Sequence, residues 1–140
     1  MTVARKKVLI VDDEADLVEL LKTELEAGGY DVLVALEGEQ GIQKALLEKP
    51  DLLILDIMMP KMNGYEVLSR LRNNERTKRL PVIILSAKGE TYSILDLQNL
   101  GATDYLIKPF ESEEFLSIIQ RYLGGGHGFS ARKISGSEIS

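Results

Sequence analysis

A chain of 140 residues, 44% hydrophobic and 28% charged, is sized and balanced for one soluble domain with a substantial core. Its net charge of −5 is the wrong sign for a general nucleic-acid-binding surface. The absence of cysteine excludes disulfides and thiolate metal sites, and no apolar run approaches the ~20 residues that span a bilayer. The basic start, residues 1–7, has no long apolar stretch behind it and does not read as a secretory signal, so a cytoplasmic location is expected.

In chain order, Val8–Val11 is a continuous apolar run, read as a strand covered on both faces. Asp16–Ala27 follows as a helix, with Leu17, Leu20, Leu21 and Leu25 as its apolar set and Gly28-Gly29 as its stop. Tyr30–Leu36 reads as a second strand and Glu39–Lys49 as a second helix, with Ile42, Ala45, Leu46 and Leu47 apolar and Pro50 ending it. Leu52–Leu55 is a third buried strand running straight into Asp56, and Pro60 and Asn63-Gly64 mark the next loop.

Tyr65–Arg72 is predicted as a third helix with Val67, Leu68 and Leu71 facing inward. Val82–Leu85 is a fourth strand ending at Ser86, Thr91–Leu100 a fourth helix capped by Gly101, and Tyr105–Ile107 a fifth strand ending at Lys108-Pro109. Ser112–Leu123 is a fifth helix with Ser112 as N-cap and Phe115, Leu116, Ile119 and Leu123 on one face. Five strand–helix units predict an α/β, doubly wound (βα)5 fold with a five-stranded parallel sheet of flavodoxin-like order 2-1-3-4-5. Residues 1–123 form the expected domain, and the Gly- and Ser-rich residues 124–140 a flexible tail, either a linker or a cloning remnant. The only histidine, His127, lies in that tail. Arg72, Arg76, Lys78 and Arg79 read as a solvated basic patch.

Ligands of an open parallel sheet bind beyond the carboxyl ends of its strands. The residues at those ends are Asp12 and Asp13 after strand one, Asp56 after three, Ser86 after four and Lys108 after five. Taken singly, each has an ordinary explanation: the acids cap a helix or fill a turn, and the serine and lysine are surface residues. Five such residues at one sheet edge make that reading improbable. Three carboxylates brought together repel unless protonated or bridged by a cation, and Mg²⁺ is the hard divalent ion that one or two carboxylates plus waters hold. In such a site Lys108 offers a point charge to a phosphoryl oxygen, Ser86 a hydroxyl donor, and Asp56 a carboxylate nucleophile.

These residues resemble the receiver family of bacterial two-component response regulators. The resemblance rests on VLIVDDE at 8–14, DLLILDIMMPKMNGYEVL at 51–68, PVIILSA at 81–87 and GATDYLIKPF at 101–110, and spans about residues 5–123. It implies that Asp56 is the phosphoacceptor. Asp12 and Asp13 would hold Mg²⁺ or Mn²⁺, with Asp56 and the backbone carbonyl of Met58 as further ligands. Ser86 would be the switch hydroxyl, Lys108 the phosphoryl-pairing lysine and Tyr105 the aromatic switch, and Pro109 would follow a cis peptide bond.

The implied protein is a phosphoacceptor switch, not an enzyme, although it assists its own phosphorylation and dephosphorylation. The implied partners are a sensor histidine kinase or phosphotransfer protein and an output partner or effector domain. The output partner would be engaged through the face of helix four, strand five and helix five, and a phosphorylation-dependent homodimer is compatible with this. No nucleic acid and no membrane is implied as a direct partner.

Two positions depart from the pattern. Ile118 stands where receivers of the winged-helix class commonly carry an arginine, which weakens a charged dimer of that type. Met58 and Lys88 occupy the positions that tune phosphoryl lifetime in the family. Three rival readings share parts of this pattern. A phosphatase of the haloacid dehalogenase type needs an acid two residues after the nucleophile, where Met58 stands. A flavodoxin needs a phosphate-wrapping first loop, which Asp12-Asp13-Glu14 would oppose. A phosphorylation-independent pseudo-receiver, a protein-interaction module, remains the alternative.

Overall fold

The computed structural model describes residues 5–87 and 94–124. The chain divides into two compact units, one through Lys108 and one from Pro109 onward. The first unit runs β1 (Lys7–Val11), α1 (Ala15–Ala27), β2 (Asp31–Ala35), α2 (Gly38–Glu48), β3 (Leu52–Asp56), α3 (Gly64–Arg72), β4 (Val82–Ala87), α4 (Ile94–Asn99) and β5 (Asp104–Lys108). The five strands form one parallel sheet in the order β2-β1-β3-β4-β5, as expected from right-handed strand–helix–strand crossovers.

The apolar runs form strands because both of their faces are covered. Successive side chains of a strand point to opposite faces. Leu9, Val11, Leu53, Leu55, Val82 and Ile84 share one cluster with Ile42 and Ala45 of α2 and Val67, Leu68 and Leu71 of α3. The alternate residues, Val8, Ile10, Leu52, Ile54, Ile83 and Leu85, are equally buried but lie outside that cluster. So are Val18, Leu21 and Leu25 of α1, which packs on β1 and β2. Helices therefore flank the sheet on both sides.

Several sequence expectations need correction. Leu20 is 53% exposed and Leu47 is 71% exposed. With about 3.6 residues per turn, Leu20 falls on the side of α1 opposite the buried Val18, Leu21 and Leu25. Arg72 is not part of a solvated patch. It is half-buried, with Nε donating to Gly101 O at 2.9 Å and a guanidinium NH donating to Thr77 O at 3.2 Å. Asn63-Gly64 is less a loop than a helix start: the Asn63 side chain accepts the Glu66 N–H at 3.0 Å and caps α3.

Two glycines with positive φ follow helix ends, Gly29 (φ 96°) after α1 and Gly101 (φ 99°) after α4, the conformation that glycine adopts without steric cost. Residues 91–93, predicted as the start of the fourth helix, lie outside the described residues, as do Lys88, His127 and the predicted tail beyond Gly124.

The second unit contains α5 (Ser112–Leu123). Its buried residues are Phe115, Ile118 and Ile119, and the Phe110 and Phe115 rings stack with centroids 5.8 Å apart. Ser112 is the first helical residue, not the N-cap. Glu111 holds that position with extended backbone (φ −82°, ψ 152°) and without a side-chain cap.

Candidate functional site

The strand register explains why four distant segments meet. Val11 pairs with Leu55, so the residues that follow them, Asp12 and Asp56, emerge side by side. Asp56 pairs with Leu85, and Ser86 pairs with Ile107. Ser86 and Lys108 therefore stand one residue beyond their paired neighbours at the same sheet edge.

Backbone bonds continue past the formal strand ends. The Asp12 N–H donates to Ala35 O at 3.2 Å, and the Ile57 N–H donates to Leu85 O at 3.0 Å. The two carboxylates thus project from hydrogen-bonded backbone. The loop after Asp56 closes through the Gly64 N–H on Ile57 O at 2.8 Å.

Asp12 is fully buried and Asp56 is 5% exposed, whereas Asp13 is exposed. One carboxylate oxygen from each lies within 4.8 Å of the others. Asp12 Oδ1 accepts the Glu14 N–H at 2.9 Å, and Asp56 Oδ1 accepts the Met58 N–H at 3.3 Å. The Lys108 ammonium enters from β5. It lies 3.1 Å from Asp12 Oδ2, 3.7 Å from Asp56 Oδ1 and 2.7 Å from Glu14 Oε1.

Ser86 is buried at the end of β4. Tyr105 of β5 pairs with Ile84 and is half-buried against the core. Met58 follows Asp56 with its side chain exposed, and Pro109 follows Lys108 in the chain. The sequence reading therefore located Asp12, Asp13, Asp56, Ser86 and Lys108 at one edge. It did not find that Glu14 makes the shortest contact to Lys108. The only available signal was a third acid beside Asp13.

Burial pushes the Asp56 carboxyl up to about 7, and the neighbouring Asp12 charge adds to the shift. Lys108 and the Met58 N–H oppose it, and Asp13 raises it further. For Lys108, burial would depress the pKa. The hydrogen bond to Glu14 outweighs it, together with the charges of Asp12 and Asp56 and the hydrogen bond to Asp12, so the ammonium is held above its ordinary value.

The cluster suits a hard cation. Every side-chain donor is a carboxylate oxygen, and octahedral Mg²⁺, with ligands at about 2.0–2.1 Å, sets its own ligands roughly 3–4 Å apart. Oxygens within 4.8 Å of one another are close to that spacing.

A family model described as the response regulator receiver domain matches residues 8–120. The alkaline phosphatase synthesis transcriptional regulatory protein PhoP of Bacillus subtilis is 47% identical over 119 residues, covering 84% of this chain and 48% of that protein. The DNA-binding dual master transcriptional regulator RpaA of Synechocystis is 41% identical over 117 residues, covering 84% of this chain and 48% of that one. The chain thus spans about half the length of the curated relatives it matches.

Among solved structures, the chemotaxis response regulator CheY4 of Vibrio cholerae superposes with a TM-score of 0.80 at 32% identity, covering 86% of this chain and 100% of that one. The receiver domain of the sensor histidine kinase PA1611 from Pseudomonas aeruginosa superposes with a TM-score of 0.78 at 29% identity, covering 87% and 100%. That structure has a magnesium ion coordinated in its active-site cleft. Among the described residues of the present chain, no helix is long and apolar enough to cross a membrane.

Proposed function

This chain belongs to the response regulator receiver family, signalling domains rather than turnover enzymes, and from that premise we propose that it is switched by phosphorylation of Asp56. The observation that carries the reading is the position of Asp56. It ends the buried strand β3, shares a cluster with Asp12 and Asp13, and stands 3.7 Å from the Lys108 ammonium.

In its ionised form Asp56 attacks the phosphorus of a phosphohistidine on a sensor kinase or phosphotransfer protein. An Asp56 O–P bond forms, the P–N bond breaks, and the departing electron pair stays on the imidazole nitrogen, which takes up a proton. Lys108 neutralises developing charge on a phosphoryl oxygen, and the Ser86 hydroxyl donates a hydrogen bond to another. Asp12, Asp13, Asp56 and the Met58 carbonyl are the groups that would hold Mg²⁺ or Mn²⁺. When bound, the cation supplies positive charge to the carboxylates and the phosphoryl oxygens. The magnesium in the cleft of the similar PA1611 receiver supports this assignment.

Ser86 and Tyr105 lie on adjacent strands, with Ile84 opposite Tyr105 and Ser86 opposite Ile107. A shift of Ser86 toward the phosphoryl group frees space that the Tyr105 ring enters. The switch works by shifting the population between two packings of this edge. Exposed Leu95 of α4 and Ile107 of β5 are apolar groups available to an output partner. Residues 1–123 are read as the receiver, residues 124–140 as a tail and the cytoplasm as its compartment. The family model itself spans residues 8–120.

The deciding experiment measures binding of beryllofluoride, an acyl-phosphate mimic, with and without Mg²⁺, by wild type and Asp56→Ala. Binding by wild type alone, and only with Mg²⁺, is expected. A folded wild type that binds nothing at saturating Mg²⁺ would overturn the switch and favour the pseudo-receiver.

A further inference from the structure

Lys108 has three carboxylates within reach, and the tightest contact is not with the expected phosphoacceptor. Glu14 Oε1 lies 2.7 Å from Nζ, Asp12 Oδ2 3.1 Å and Asp56 Oδ1 3.7 Å. The Glu14 side chain is 60% exposed, whereas that of Lys108 is 18% exposed. Glu14 thus reaches in from the solvent side. Its backbone N–H is fixed on Asp12 Oδ1, and its residue caps the start of α1, so the carboxylate is delivered from an ordered position.

A phosphoryl group on Asp56 needs the same ammonium. One Lys108 nitrogen has three protons to donate, but its charge cannot sit at full strength against both Glu14 and a phosphoryl oxygen at different positions. We infer that Glu14 is a latch on Lys108: it holds the ammonium toward the outer rim of the site in the resting state and competes with the phosphorylated Asp56 for it. Glu14 is thus a positioning residue that sets the balance between resting and phosphorylated forms. This inference rests on the reading of Asp56 as phosphoacceptor.

The magnitude is bounded by the exposure of Glu14. An ion pair with one solvent-exposed partner contributes little, so the latch shifts affinity for a phosphoryl mimic by about two- to five-fold.

The test compares wild type, Glu14→Gln and Glu14→Asp for beryllofluoride binding at saturating Mg²⁺, so that any change in cation affinity drops out. Glu14→Gln is expected to bind about two- to five-fold more tightly. Glu14→Asp keeps the charge but is one methylene too short for the 2.7 Å contact, and it should behave like Gln. A second readout needs neither metal nor mimic: the NMR signal of the Lys108 ammonium in the resting protein, which should shift in both variants as the 2.7 Å contact is lost.

Equal or weaker binding by Glu14→Gln would overturn the latch. Wild-type behaviour of Glu14→Asp would also overturn it, by assigning the effect to long-range charge rather than to the contact. If wild type itself binds no beryllofluoride, the phosphoacceptor reading falls and the latch falls with it. Wild-type binding with an unaltered Lys108 ammonium signal in the variants would sink the latch alone.

Discussion

Asp56 carries a conflict at the scale of a single residue. Burial and the Asp12 charge disfavour its ionised form, and Lys108 offsets them only in part, which leaves its carboxyl at about 7. In the unfolded chain a carboxyl of this kind titrates near 3.9. The folded state therefore binds a proton more tightly than the unfolded state does. Its contribution to stability is fully present below the unfolded value and is lost as pH rises through about 7.

Replacing Asp56 by Asn keeps the shape and an acceptor oxygen but removes the charge. In metal-free protein, Asp56→Asn should be more stable than wild type at pH 8, by an amount on the order of a few kcal/mol at ~1.36 kcal/mol per pKa unit. That advantage should shrink by roughly 2.5 kcal/mol on lowering the pH to 5. Urea unfolding at both pH values measures it, and an advantage independent of pH would contradict the assignment of the conflict to this carboxyl.

At the scale of elements, the site is a consequence of strand ends. Continuous apolar runs closed by a polar residue are legible in sequence because a strand buried on both faces accepts a polar side chain only at its end, where the covering helices give way. That is why Asp12, Asp56, Ser86 and Lys108 stand out in the sequence. Their mutual distances do not, because they depend on the register of β1, β3, β4 and β5. Glu14 and Lys108 lie 94 residues apart, and no periodicity links them. The anchoring of Arg72 escapes the sequence for a similar reason: its acceptors are the carbonyls of Thr77 and Gly101, and backbone acceptors leave no compositional trace. Leu20 and Leu47 show the converse, that apolar identity alone does not fix inward orientation.

Two predictions belong to these elements. A Cβ on Gly64 would lie 2.6 Å from Ile57 Cα and 2.8 Å from Asp56 O, so Gly64→Ala must displace the backbone that carries Asp56. A cost of about 1–3 kcal/mol in urea unfolding is expected, together with weaker beryllofluoride binding; unchanged stability would mean that the α3 start is free to move. Arg72→Ala leaves two backbone carbonyls without their donors, and burial already lowers the Arg72 pKa. A loss of about 1–3 kcal/mol is expected, with beryllofluoride affinity retained because Arg72 is not among the site residues.

At the scale of the whole molecule, a cation held by the carboxylate cluster would tie folding to metal binding. Asp12, Asp13 and Asp56 come within 4.8 Å of one another only through the folded sheet edge, so a divalent cation held there would bind the folded state far better than the unfolded one. Mass action then stabilises the fold by RT ln(1 + [L]/Kd), about 2.7 kcal/mol when the ion stands at 100 times its Kd. The thermal midpoint should rise steadily with Mg²⁺ concentration, Mn²⁺ should reproduce the effect, and chelation should reverse it.

The effect also has a pH sign. The cation needs the ionised form of Asp56, whose carboxyl is held at about 7, so protons compete with it and the stabilisation should be larger at pH 8 than at pH 6. Asp12→Asn removes one ligand and relieves the second-largest cause of the Asp56 shift. That variant should therefore show a smaller rise in midpoint, with its pH dependence displaced toward lower pH. A midpoint that ignores Mg²⁺ at pH 8, or that rises equally in wild type and Asp12→Asn, would mean that the three carboxylates are gathered at the sheet edge for some purpose other than holding a metal.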